Sequence, residues 1–156
     1  MLLRRPLLVL SLFAAAGCAA APAVQDDAAR DIDSLNARLA RAYSERDPAA
    51  YAAVFTDSGV FEWPAFRVVR GRTQLAEMAR GNWAALRDMQ LDLDVSSRRV
   101  SGDHATEFGA FALSYTDNKG ARSTEFGRYA SAFARQADGR WLMDRFLGFA
   151  DSTLAR

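Results

Sequence analysis

Apolar residues recur at helical spacing in the first half of the chain and at strand spacing in the second. Ile32, Leu35, Leu39, Ala42 and Tyr43 share one helical face, with Asp31, Arg38, Arg41 and Glu45 off it, which predicts an amphipathic helix. Asp47-Pro48 restarts the chain, since aspartate is a good N-cap and proline suits the first helical position. Tyr51, Val54 and Phe55 predict the apolar side of a short second helix, and Asp57-Ser58-Gly59 predicts a turn. Residues 60–63 and 66–69 read as short strands around Pro64, and Gly71 breaks the pattern. Leu75, Met78, Ala79, Trp83 and Leu86 mark a third amphipathic helix.

After Asp88 the period becomes two. Met89, Leu91, Leu93 and Val95 alternate with Gln90, Asp92, Asp94 and Ser96, the pattern of a strand with one wet face. Ser101-Gly102-Asp103 turns it, and residues 104–116, 122–136 and 140–149 predict three further strands. Asp117 to Gly120 and Asp138-Gly139 supply the hairpin turns between them. Helices first and an antiparallel meander afterwards define an α+β fold, with helices packed on one face of a curved sheet. Thr-Glu-Phe-Gly occurs at 106–109 and again at 124–127. Nothing around the two copies matches, so they are not a repeat.

The first residues fall outside this pattern. Arg4 and Arg5 precede a mostly apolar run, Leu7 to Ala16, that ends in Gly17 and Cys18. A basic start, a short apolar stretch and small residues at its end describe a secretory signal peptide, and the run is shorter than the roughly 20 residues a membrane span needs. Ala15-Ala16-Gly17-Cys18 resembles the bacterial lipobox, with Ala15 in place of the more usual leucine. That resemblance implies lipidation of Cys18, a mature chain starting there, and anchoring to the membrane. The alternative is an ordinary signal peptide cut after Ala19-Ala20-Ala21. Cys18 is the only cysteine, so an exported protein of this sequence forms no internal disulfide. Ala19 follows it, where an aspartate would hint at inner-membrane retention. The expected location is therefore the cell envelope, on the periplasmic face of the outer membrane. The expected organisation is a signal peptide over 1–17, a lipidated N-terminus and tether over 18–29, and one domain over 30–156.

Of the 156 residues 50% are apolar and 25% charged, a globular composition with room for one core. Removing residues 1–17 takes away Arg4 and Arg5 and no acid, leaving 18 basic against 19 acidic residues. A near-neutral chain lacks the basic surface of a nucleic-acid binder.

The Asp-Pro restart, Phe55-Thr56-Asp57, the glycine before the third helix and the final meander resemble the nuclear transport factor 2-like superfamily. Gly127-Arg128-Tyr129 followed by Asp138-Gly139-Arg140-Trp141 resembles the last hairpin of its SnoaL-like members. The resemblance covers about residues 30–149. It implies a cone, with three N-terminal helices packed on a curved, mainly antiparallel sheet and a pocket between them. The superfamily includes isomerases, cyclases, a dehydratase and epoxide hydrolases, so the fold does not settle function.

Their catalytic patterns are not matched. Where the ketosteroid isomerase pattern has its base, this chain has Trp63. The places of its tyrosine and its protonated aspartate, a carboxyl kept neutral by an apolar site, hold Leu39 and Ser131. Glu62 is next to Trp63, but adjacent strand residues face opposite sides. The Arg-x-Asp of the epoxide hydrolases is missing, because Tyr129 and Ala130 follow Arg128. His104, the single histidine, reads as a solvated loop residue, and one histidine excludes a multi-histidine metal site. No metal or cofactor is expected.

Charges within strands remain: Glu107, Glu125, Arg128, Asp144 and Arg145. A carboxylate facing the cone would have a raised pKa and could carry a proton, whereas one on the wet face or paired would not. The aromatics Tyr43, Trp63, Tyr115, Tyr129 and Phe146 are the expected ligand-binding set, with core packing as the bland reading for each, as for Trp83 and Phe149. Three functions follow. The first is an envelope lipoprotein that holds a small, largely apolar ligand. The second is an acid–base enzyme using Asp144, Glu125 or Glu107 with Tyr43 or Tyr129 as donor. The third is a scaffold whose sheet face binds a second copy or an envelope partner.

Overall fold

The computed structural model describes residues 22–64 and 67–155. Cys18, the expected signal peptide and Phe66 lie outside the described residues. The elements run α1 (Pro22–Glu45), α2 (Pro48–Ala53), β1 (Phe55–Glu62), β2 (Val69–Arg70), α3 (Arg72–Trp83), β3 (Leu86–Ser101), β4 (His104–Asp117), β5 (Arg122–Arg135) and β6 (Trp141–Ala155).

Ala28, Ile32, Leu35, Leu39 and Ala42 form a buried stripe along α1 at alternating spacings of four and three, the face that 3.6 residues per turn brings together. Residues 22–29, expected as tether, are therefore the first turns of α1, and Ala28 is already in the core. Arg46 takes a left-handed φ of 52°, and the Asp47 amide donates to the Ala42 carbonyl, which closes the helix. The Asp47 carboxylate accepts from the amides of Ala49 and Ala50 at 2.9 and 3.0 Å and starts α2.

Several boundaries differ from the sequence reading. First, α2 has only six residues, so Phe55 opens β1 rather than closing the second helix. Second, Asp57-Ser58-Gly59 is not a turn but an irregularity inside β1, where Phe55 pairs with Met143 and Val60 with Arg145. Extra residues on one strand make a bulge, which uses the same small, polar residues as a turn. The strand expected over 66–69 is reduced to Val69–Arg70. Third, α3 ends at Trp83 and Leu86 starts β3. There the Arg46 guanidinium donates to the Trp83 carbonyl at 2.8 Å, satisfying one of the carbonyls that a helix end leaves free.

The sheet order is β2-β1-β6-β5-β4-β3, antiparallel throughout except for the parallel β1–β6 pair. Register shifts in β3 near Val95 and in the β5–β6 pair near Gly127 and Phe133 bend these long strands. Ala105, Glu107, Gly109 and Phe111 alternate with less buried neighbours along β4, as do Gly127, Tyr129, Ser131 and Phe133 along β5. These inward positions and the helix stripe form the core. The architecture is α+β, with the helices against the concave face of a six-stranded sheet.

Candidate functional site

The concave face and the three helices enclose a cavity with a narrow inner end and a wide mouth. The inner end is walled by Leu39 of α1, Tyr51 of α2, Phe55 of β1, Leu91 of β3, Phe111 of β4 and Phe146 of β6, and measures about 40 Å³. That is room for about three waters, so side chains nearly fill the deep end. The mouth measures about 550 Å³, within the range of small-molecule sites. Tyr43, Phe61, Trp63 and Leu113 line both parts and join them. The α3 face turned to the mouth carries Gln74, Met78, Asn82 and Trp83, and Tyr115 and Glu125 face it from β4 and β5.

Rings stack across the sheet. Trp63 and Phe61 lie 6.2 Å apart and nearly parallel, Phe61 and Phe146 5.6 Å, and Phe146 and Tyr129 5.7 Å. Gly148 makes this row possible, because a Cβ there would lie 2.5 Å from the Trp63 ring and 2.9 Å from Phe146. Tyr43 packs against Trp83 at 4.8 Å and edge-on to Tyr51 at 5.8 Å.

Glu125 is the strand carboxylate that reaches this cavity. It is half-buried, pairs across the ladder with Leu113, and has no hydrogen-bond or ion-pair partner among the described residues. Burial pushes its pKa above the usual carboxylate range. Burial also raises the Tyr43 phenol, with the Glu125 charge adding to the effect. Tyr51 is raised by burial and by Tyr43. Both phenols therefore stay protonated, as donors rather than bases.

Glu107 faces inward too, but into a closed network. It is fully buried and accepts from Asn36 Nδ2 at 2.9 Å, Tyr129 Oη at 2.8 Å and Arg98 Nε at 2.7 Å. Arg98 also reaches Asp33 at 2.7 Å and the Ala29 carbonyl at 3.0 Å. Burial alone would lower the Arg98 pKa, but the bonds to Asp33 and Glu107 outweigh it and raise it. This carboxylate is balanced by a cation and by two neutral donors, and it ties α1, β3, β4 and β5 together. Burial and the bond to Glu107 raise the Tyr129 phenol. Tyr129 stacks on Phe146 at the end of the ring row and lines a separate hollow of about 630 Å³ with Phe108, Leu147 and Phe149, not the cavity between sheet and helices.

The remaining expected residues lie elsewhere. Asp144 accepts from Thr56 Oγ1 at 3.2 Å, in the β1–β6 pair and away from the cavity. Arg145 pairs with Glu62, and Arg128 makes a two-pronged pair with Asp151 at 2.8 and 2.9 Å. His104 is exposed at the start of β4. Of the five aromatics expected to bind ligand, Tyr43, Trp63, Tyr115 and Phe146 do line the cavity. Phe61, Phe111 and Leu113 line it as well, and Phe111 and Leu113 have the strand parity of Tyr115.

A family model for the SnoaL-like domain matches residues 26–146, and the chain belongs to that family. A search of curated proteins finds no match. Among solved structures, the chain is similar to a function-unknown protein from Mycobacterium tuberculosis, at 27% identity and a TM-score of 0.75, covering 84% of this chain and 76% of that one. A ketosteroid isomerase-like protein from Erwinia carotovora atroseptica gives 20% identity and a TM-score of 0.70, with 79% and 95% covered. A type 2 hexachlorocyclohexane dehydrochlorinase gives 13% and 0.76, with 87% and 93% covered. The last two likenesses are of fold alone.

Proposed function

We propose that the mouth of the cone binds a small, largely apolar ligand, and that Cys18 anchors the domain by a lipid to the periplasmic face of the outer membrane. The observation that carries the first part is the mouth itself, about 550 Å³ and lined by Trp63, Trp83, Tyr115, Met78 and Leu113. The ligand's polar end meets Glu125 and the Tyr43 phenol. Native mass spectrometry of protein purified from its own host tests this. A retained small molecule is expected for the wild type and lost in Trp63→Ala. A cone that is empty under all gentle conditions refutes it. For the anchor, metabolic labelling with a clickable fatty acid marks the wild type and spares Cys18→Ser. Equal labelling of both refutes lipidation there.

The second reading, an acid–base enzyme, rests on Glu125 and Tyr43 sharing the mouth. Glu125 is the proton carrier, and Tyr43 donates to an oxygen of the substrate. Loss of turnover with retained binding in Glu125→Gln is the expected signature, and unchanged turnover would remove this role. The scaffold reading rests on Phe108, Phe126, Phe149 and Leu154, large apolar residues exposed on the strands. Light scattering that shows a strict monomer counts against it.

A further inference from the structure

We propose that the ligand at the mouth is an organic cation. It is an amine or quaternary ammonium on an apolar body, with its charge set between the Glu125 carboxylate and the rings of Tyr43, Trp83 and Tyr115. The inference deepens the ligand-binding reading above and rests on it.

The argument starts from the contrast between two inward carboxylates on neighbouring strands. For Glu107 the fold supplies Arg98, Asn36 and Tyr129. For Glu125 it supplies nothing among the described residues, although that side chain is also drawn out of water against Leu113 and Tyr115. A carboxylate removed from water without a partner is unfavourable, and an apolar neutral ligand would make the deficit worse by covering it. A cation removes the deficit.

The walls suit the same charge. Tyr115 lies diagonally across the β4–β5 ladder from Glu125, because Leu113 is its direct partner and Tyr115 pairs with Ser123. Opposite, Tyr43 and Trp83 make a corner with ring centroids 4.8 Å apart, tilted by 50°. Aromatic faces carry negative charge and attract ammonium groups. The charged groups around the mouth are Arg67 from the β1–β2 connection, Glu77 from α3 and Glu125 from β5. Arg67 and Glu77 are exposed at the rim, leaving the half-buried Glu125 as the uncompensated charge within. An anionic ligand would meet that carboxylate instead.

Benzyltrimethylammonium and its neutral isostere neopentylbenzene separate the possibilities. Each is titrated into the mature protein while the indole N–H signals of Trp63 and Trp83 are followed by NMR. The cation is expected to bind about tenfold more tightly than the hydrocarbon, a preference of the size that ion pairing and cation–π contact give in a partly desolvated site. Glu125→Gln should abolish the preference, because the cation loses its counter-charge and the hydrocarbon no longer covers a carboxylate. Tyr115→Leu should reduce it with Glu125 still in place, a second variant that does not alter the carboxylate. Equal affinity for the two probes, or a preference that survives Glu125→Gln, overturns the cation assignment and leaves the ligand-binding reading standing. If neither probe shifts either indole, the mouth is not a ligand site and both fall.

Discussion

Replacing Arg98 by methionine keeps most of the side chain's length and removes the guanidinium beside Glu107. Glu107 is completely buried and Arg98 is 12% exposed at its side chain, so water cannot readily replace the lost partner. Breaking a buried ion pair by deleting one member costs about 3–5 kcal/mol. Asn36 and Tyr129 continue to donate to Glu107 at 2.9 and 2.8 Å, which puts the expected loss near the lower end, about 3 kcal/mol. Arg98→Met also gives up the bonds to Asp33 and to the Ala29 carbonyl, but Asp33 is exposed and contributes little. Urea unfolding followed by circular dichroism should show the midpoint falling by about 1–3 M. The double variant Arg98→Met with Glu107→Gln removes the stranded charge and should recover a large part of the loss, a coupling of at least about 1 kcal/mol. A cost below about 1 kcal/mol for Arg98→Met, or strictly additive effects in the double variant, would refute the view that Glu107 is a structural carboxylate held by Arg98.

Three further outcomes are expected. Asp47→Ala removes the acceptor for two amides at the start of α2 and should cost about 1 kcal/mol in chemical unfolding. Gly148→Ala places a methyl 2.5 Å from the Trp63 ring, which should displace that ring, shift its fluorescence and weaken ligand binding, with a stability loss of about 1–3 kcal/mol. The Glu125 pKa is raised in the folded protein by burial, so the favourable protonated state is fully present below the ordinary glutamate range and is lost as pH rises through the higher, folded value. Glu125→Gln should therefore melt higher than the wild type at neutral pH, and the gap should close on acidification. A gap that widens on acidification would contradict the burial argument.

The parts of the molecule that could be read from the chain are those where one period dominates. The α1 stripe and the alternation in β3, β4 and β5 follow directly from apolar spacing, and the same parity sets Glu107 and Glu125 on the inward face. Parity does not say what an inward charge meets. Arg98 and Asn36 are 9 and 71 residues from Glu107, and only the folded register brings them to it. Asp144 lies in the β1–β6 pair, where Thr56, 88 residues away in sequence, donates to it, and not in the cavity lining. Asp57-Ser58-Gly59 suits a turn and a bulge equally, and only pairing with β6 makes it a bulge. Val54 and Phe55 continue the apolar run of α2, yet the helix stops after six residues because Phe55 pairs with Met143 of β6. Four of the five expected aromatics reach the cavity, Tyr115 and Phe146 from strands, Tyr43 from α1 and Trp63 from just beyond β1. Tyr129 is drawn away by its bond to Glu107.

The most direct test of the ligand site is a crystal structure of the protein isolated from its own host without refolding, with the contents of the cone resolved. A small molecule in contact with Trp63 and Tyr115, its apolar body directed toward Phe61 and Leu113 and its polar end at Glu125, is the predicted result. A mouth closed by α3 side chains packed onto Leu113, or a ligand bound only on the outer face of the sheet near Phe108 and Phe149, would contradict it.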